Sequence, residues 1–132
     1  MKENHLHCIL CGERNPWSLK LRFTAGEDGT VRASFRGRRL LQGYDGLLHG
    51  GVIASLLDSA MTNCLFRQKI TALTGELRIR YLRPVPCDAM LELRAAVTSS
   101  RPPLYMLDSE LRLDGVLMAR ASAKFMNFPA AK

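Results

Sequence analysis

A chain of 132 residues with 47% hydrophobic and 23% charged side chains has the size and balance of one ordinary globular domain, which excludes a disordered chain. Its apolar runs are a few residues long, far short of the roughly 20 that span a bilayer. The polar start Met1-Lys2-Glu3-Asn4-His5 leads into no apolar signal region, so the expected location is the cytoplasm. Arginine supplies 14 of the 19 basic residues, and the net charge of +7 suits an anionic partner: nucleic acid, a membrane or a phosphorylated small molecule.

Residues 1–16 show no clear period. They hold Cys8-x-x-Cys11-Gly12, one half of a zinc knuckle, with His5 and His7 close by. His7 and Cys8 are adjacent, which makes joint tetrahedral ligation awkward, and no second CxxC exists; the sequence is read as binding no metal. Four cysteines are too few for a disulfide scaffold. Cys64 and Cys87 read as small core or turn residues.

Beyond residue 16 the pattern becomes periodic. Leu19, Leu21 and Phe23 alternate with Lys20, Arg22 and Thr24, and Val31, Ala33 and Phe35 alternate with Arg32, Ser34 and Arg36. The Asp28-Gly29 turn signal between them predicts a hairpin. Residues 37–48 are glycine-rich and aperiodic, hence a loop. From Gly50 to about Phe66 the spacing is helical, with Val52, Ile53, Leu56, Leu57, Ala60, Met61, Cys64 and Leu65 on one broad face.

Strand periodicity then returns. Leu73, Gly75, Leu77, Ile79 and Tyr81 form one alternating set, ended by Pro84 and Pro86; Leu91 to Val97 form the next. Tyr105 to Leu113 and Leu117 to Phe125 are joined by Asp114-Gly115, a second hairpin turn. Two strands, one long apolar helix and four strands predict an α+β fold: an antiparallel sheet of about six strands curled around one central helix. The expected organisation is an amino-terminal cysteine-containing segment, 1–16, followed by a single domain over 17–128.

The stretch from Gly43 to Ala60 carries the chemistry. Gly50 and Gly51 open the helix just after His49, leaving first-turn N–H groups and the positive dipole end to face a developing oxyanion. Opposite the apolar face lies a stripe of small polar residues: Ser55, Asp58, Ser59, Thr62 and Asn63. A solvent face would normally carry long helix formers, so this stripe predicts a tight surface that must hydrogen-bond something. Asp58 can attack an acyl carbonyl or activate water, with Thr62 one turn on to position it. Eight residues separate Gly50 from Asp58, about 12 Å of helical rise. One helix cannot bring both groups to one carbonyl, so a joint mechanism requires two subunits.

The segment 43–60, with its Gly-x-x-Gly-x-x-His-Gly-Gly core and Leu57-Asp58 nine residues beyond the His, resembles the hotdog-fold thioesterases of the phenylacetate-degradation (PaaI-like) type. The strand order and the Tyr81-Leu82-Arg83-Pro84 strand end extend the resemblance over nearly the whole chain. It implies a hotdog fold and acyl-CoA hydrolysis in a homodimer or a dimer of dimers, a homotetramer, without a cofactor, CoA being part of the substrate. It also implies an amide from Gly50 or Gly51 on the carbonyl, Asp58 of the neighbouring subunit as nucleophile or base, Thr62 beside it, and His49 orienting the substrate. Ser99, Ser100 and Arg101, read as a loop, are the expected phosphate contacts, with Arg83 and Arg80 as further candidates.

Two rivals share the fold: a non-catalytic acyl-CoA-binding protein, which would not need Asp58, and a dehydratase, which would want a His–Asp pair acting together. A nucleic-acid partner is set aside, because the aromatic residues are few and not interleaved with arginines on one face. No membrane partner is expected.

Overall fold

A computed structural model describes residues 3–127; residues 1, 2 and 128, at the expected segment and domain limits, lie outside the described residues. The chain forms strands β1 (Thr24–Ala25) and β2 (Val31–Arg36), helix α1 (Gly50–Arg67), then strands β3 (Ala72–Tyr81), β4 (Met90–Arg101), β5 (Leu104–Leu113) and β6 (Val116–Asn127). They make one six-stranded sheet in the order β1-β2-β4-β5-β6-β3, every neighbouring pair antiparallel. The α1 helix lies against this sheet. Its apolar face buries Ile53, Leu56, Leu57, Ala60, Met61, Cys64 and Leu65 against inward residues such as Leu91, Leu93, Leu107, Leu111 and Phe125. Burial on this scale stabilises by about 1.5–3 kcal/mol per large side chain.

Both ends of α1 are closed by the sequence. At the start, Nδ1 of His49 accepts the Gly51 N–H at 2.8 Å. At the finish Lys69 takes a left-handed conformation (φ 60°). Its N–H then returns to Phe66 O and that of Ile70 to Leu65 O, a Schellman closure that satisfies the last carbonyls. The β5–β6 turn has positive φ at both Asp114 (49°) and Gly115 (79°), the hairpin geometry that Asp-Gly favours.

Three departures from the periodic reading have physical causes. The strand expected at residues 19–24 shrinks to Thr24–Ala25. Lys20 is left-handed (φ 55°), which breaks an extended run, and the N–H groups of Leu19 and Leu21 donate to Ile9 and Leu10 rather than to β2. The alternation of Leu21 and Phe23 was a burial pattern, not a sheet pairing. Residues 99–101, expected in a loop, continue β4 to its end; a register shift between Val97 and Ser99 interrupts the alternation there without ending the pairing.

The third departure lies in β3. A bulge between Thr74 and Glu76 exchanges the inward and outward faces around Gly75. Ala72 and Thr74 face the helix on one side of it, and Leu77, Ile79 and Tyr81 do so on the other, which leaves Leu73 55% exposed.

Residues 3–16 pack on the same core as the sheet. Cys11 is buried, Cys8 and Leu10 lie against it, and Asn15 ties the segment by donating to His7 O and accepting from Trp17 N–H. No helix among the described residues is long and apolar enough to cross a membrane.

Candidate active site

The start of α1 opens into a cavity of about 520 Å³ whose walls include Tyr44, Leu47, His49, Gly50, Tyr81 and Arg83. The His49 cap occupies the Gly51 N–H, while among the described residues no acceptor takes the Gly50 N–H. Of the two glycine donors expected from sequence, Gly50 is the one left open. Tyr81, at the end of β3, donates its hydroxyl to Gly50 O at 2.8 Å and braces the turn from the sheet side. Because Nδ1 of His49 is an acceptor in this cap, the neutral ring carries its proton on Nε2.

Steric space divides the two glycines as well. A Cβ at Gly51 would lie 2.9 Å from His49 Cε1 and 3.0 Å from Nδ1, so a side chain there would have to push the cap ring aside. At Gly50 a Cβ would meet only the Tyr81 ring, at 3.6 Å or more.

Asp58 is absent from the cavity wall. It sits two turns further along α1, half-buried, where Thr74 of β3 donates its hydroxyl to Oδ1 at 2.7 Å. Burial pushes the Asp58 carboxyl above its ordinary value, and the Thr74 bond offsets part of that rise. Thr62, expected to position the carboxylate, instead donates to the backbone carbonyl of Asp58 at 3.0 Å. The group that holds the carboxylate is therefore Thr74, which the sequence pattern placed on the outer face. Its only signal was a glycine inside a strand, the mark of a bulge.

The rest of the small-polar stripe is half-buried, apart from Ser59, and bonds to its own helix. Ser55 donates to Gly51 O, and Asn63 donates to Ser59 O. Ser59 itself is buried. β3 ends the sheet and pairs only with β6, so the edge beside Asp58 and Thr74 has no strand partner among the described residues.

The expected phosphate contacts are split. Arg83 lines the cavity. Ser99, Ser100 and Arg101 lie where β4 turns into β5, paired with Met106, Tyr105 and Leu104. Tyr81 pairs with Ala119 near the start of β6, whereas Leu104 pairs with Met126 near its finish, so Arg101 stands at the other end of the sheet from Gly50 within one chain. Arg80, exposed on β3, pairs with Arg120.

One helix laid against a six-stranded antiparallel sheet, with an open glycine amide at its start and a half-buried carboxylate two turns on, defines a hotdog-fold α+β protein. Residues 45–101 match the family model described as the thioesterase superfamily. It is 44% identical over 100 residues to the acyl-coenzyme A thioesterase THEM4 of Bos taurus, a match covering 74% of this chain and 41% of that protein. The chain thus spans about two fifths of that relative's length. Among solved structures, the thioesterase superfamily protein RHA08564 superposes with a TM-score of 0.82 at 27% identity, covering 87% of this chain and 60% of that one. The E. coli PaaI protein of the phenylacetic acid degradation operon shares the fold, with a TM-score of 0.77 at 20% identity over 84% of this chain and 81% of its own.

Proposed function

We propose that the protein is an acyl-CoA thioesterase that hydrolyses its substrate to a carboxylic acid and CoA in a site shared between two subunits. The observation that carries this reading is the pairing of Asp58 with Thr74 at the open edge of the sheet. A carboxylate held beside an unpaired edge is placed to serve a neighbouring chain docked there. The thioesterase-superfamily match over residues 45–101 and the likeness to THEM4 support the reaction class.

In this mechanism the thioester carbonyl enters the cavity at the helix start and accepts the Gly50 N–H. His49 keeps the turn in register and offers its Nε2–H to the substrate. When two β3 edges meet antiparallel, Asp58 of one chain approaches the Gly50 of the other. Its carboxylate attacks the carbonyl carbon, directly or through a water whose proton it takes. The tetrahedral oxyanion is stabilised by the Gly50 amide and the dipole end of α1. Collapse expels the CoA thiolate, which takes up a proton; after direct attack water then hydrolyses the Asp58 acyl anhydride to release the acid, and on the other route the attacking water has already supplied the acid's second oxygen.

The same antiparallel meeting carries the Ser99–Arg101 end of one subunit toward the cavity of the other, where it joins Arg83 around the CoA phosphates. A homodimer is thus the smallest working unit, and pairs of dimers form the tetramer. Four free cysteines suit a reducing cytoplasm. Purified protein offered short-chain, long-chain and aromatic acyl-CoAs, with released thiol as the readout, should hydrolyse one class well above the rest. No thiol release from any class by a folded dimer would overturn the assignment.

A further inference from the structure

Away from the active site, the densest group of reactive side chains lies in the amino-terminal segment. The ligand atoms of His5, Cys8 and Cys11 all fall within 4.8 Å of one another, and Cys11 Sγ is 3.6 Å from His5 Nδ1. Zinc bonds of about 2.3 Å to sulfur and about 2.0–2.1 Å to nitrogen place tetrahedral S···N neighbours about 3.5 Å apart and S···S neighbours about 3.8 Å apart. His5 and Cys11 already have that spacing. Cys8 has to close by about 1.3 Å at most to join them.

The local chain is built to hold this geometry. His5 closes a 3-10 turn, Glu3–His5. The Cys8 N–H donates to His5 O at 3.1 Å and the Gly12 N–H to Cys8 O at 2.8 Å, so successive turns return the three side chains to one side. The Leu10 N–H donates to Cys8 Sγ at 3.3 Å, a bond that favours a metal-bound thiolate. Gly12 is required by the tightness of the turn: a Cβ there would lie 2.4 Å from Cys8 N and 2.5 Å from Leu6 O. The His5 ring stands edge-on to Phe66 of α1, centroids 4.6 Å apart, which fixes its orientation.

The adjacency of His7 and Cys8, which argued against a metal in the sequence, does not apply to this set. His7 is exposed and outside the group; His5 is the histidine that converges. We propose that His5, Cys8 and Cys11 bind one zinc-class divalent ion, with the fourth position open to water or an added ligand. Two thiolates and an imidazole select a borderline-soft ion over magnesium or calcium. Bound there, the ion clasps the segment to the carboxy-terminal half of α1, beside Phe66, reinforcing the Leu19 and Leu21 bonds to Ile9 and Leu10.

The test uses the full chain, reduced and stripped by a chelator, then titrated with cobalt(II) as the spectroscopic stand-in for zinc. One cobalt per chain should bind, giving thiolate-to-cobalt charge-transfer absorption and tetrahedral d–d bands that zinc then abolishes. Zinc should also raise the melting temperature of the stripped protein. Cys8→Ser should lose the charge-transfer band or most of it, and His5→Gln should weaken binding at least roughly tenfold. His7→Gln and Cys87→Ser should bind as the parent does. Cys11 is core, so the partly exposed Cys8 and His5 carry the test in variants that keep their fold. Absence of the band in folded, reduced parent protein overturns the proposal, as does a band that Cys8→Ser leaves unchanged.

Discussion

Thr74 Oγ1 donates to Asp58 Oδ1 at 2.7 Å from a strand whose far edge has no partner among the described residues. The bond opposes the rise that burial imposes on the carboxyl. Thr74→Val should therefore move the acid limb of the pH–rate profile to higher pH and lower kcat by roughly tenfold or more, the scale of one hydrogen bond to a charged group. Thr74→Ser should restore both. A profile that Val leaves in place would remove Thr74 from the site.

Asp58→Asn should cost ~10² or more in turnover, the scale of losing a positioned base or nucleophile. It should also stabilise the protein at neutral pH. A carboxyl raised above its ordinary 3.8 in the folded state favours folding fully below that value and loses the contribution as pH rises through the folded value. At pH 7 the ionised, half-buried Asp58 therefore costs stability that Asn does not. Melting curves should show the variant higher at pH 7 and the gap closing as the buffer is acidified; a gap constant with pH would contradict the burial argument.

The helix and strand β5 were legible because their buried positions recur without a change of phase: Val52 to Leu65 at helical spacing, Tyr105 to Leu111 at spacing two. What escaped the sequence were the places where backbone geometry resets the phase. The bulge at Gly75 turned Thr74 inward, and the left-handed Lys20 diverted residues 19–23 to the amino-terminal segment. Within the proposed site, Asp58 and the Gly50–Gly51 pair stood out by residue type and spacing. The division of labour between Gly50 and Gly51 could not, since it depends on where the His49 ring points.

That division predicts unequal effects of alanine. Gly51→Ala forces the His49 ring off its cap, because the new Cβ would sit 2.9 Å from it. Loss of the cap costs about 1 kcal/mol, partly offset by alanine's better helix propensity. Stability should barely change while kcat/KM falls at least several-fold. Gly50→Ala keeps its N–H and meets only ordinary contact with Tyr81, so its kcat/KM should fall less. Equal losses in steady-state kinetics would mean that the ring position is irrelevant.

Arg83 at the cavity and Arg101 at the far end of the sheet make a second comparison. Phosphate binding is remote from the carbonyl and uniform between ground and transition states, so Arg83→Ala and Arg101→Ala should each raise KM for CoA esters more than they lower kcat. Only phosphate-bearing substrates should show it. A truncated thioester lacking the nucleotide should give the same KM with either variant as with the parent, and a matching rise there would assign the arginines to folding instead.

The shared site has the most direct test. Gly50 and Asp58 are about 12 Å apart along one helix by the standard rise, and Asp58 lines no wall of the cavity that Gly50 opens. An Asp58→Asn chain and a Gly50→Pro chain should each be nearly inactive alone and recover activity when mixed. Proline removes the Gly50 N–H and is well suited to the first position of a helix. His49 precedes it at φ −62° and ψ 133°, an extended conformation that a following proline accepts. The Gly50 carbonyl that Tyr81 holds is untouched by the change. In a mixed dimer one site joins two damaged halves, and the other joins an intact Gly50 to an intact Asp58. With random exchange, half the dimers are mixed and each has one working site of two, so an equimolar mixture should reach about a quarter of parental activity per chain. The control is that both variants stay folded and exchange subunits, followed by tagging one of them. Exchanging, folded mixtures that gain no activity would place both groups' action within a single chain and end the two-subunit mechanism.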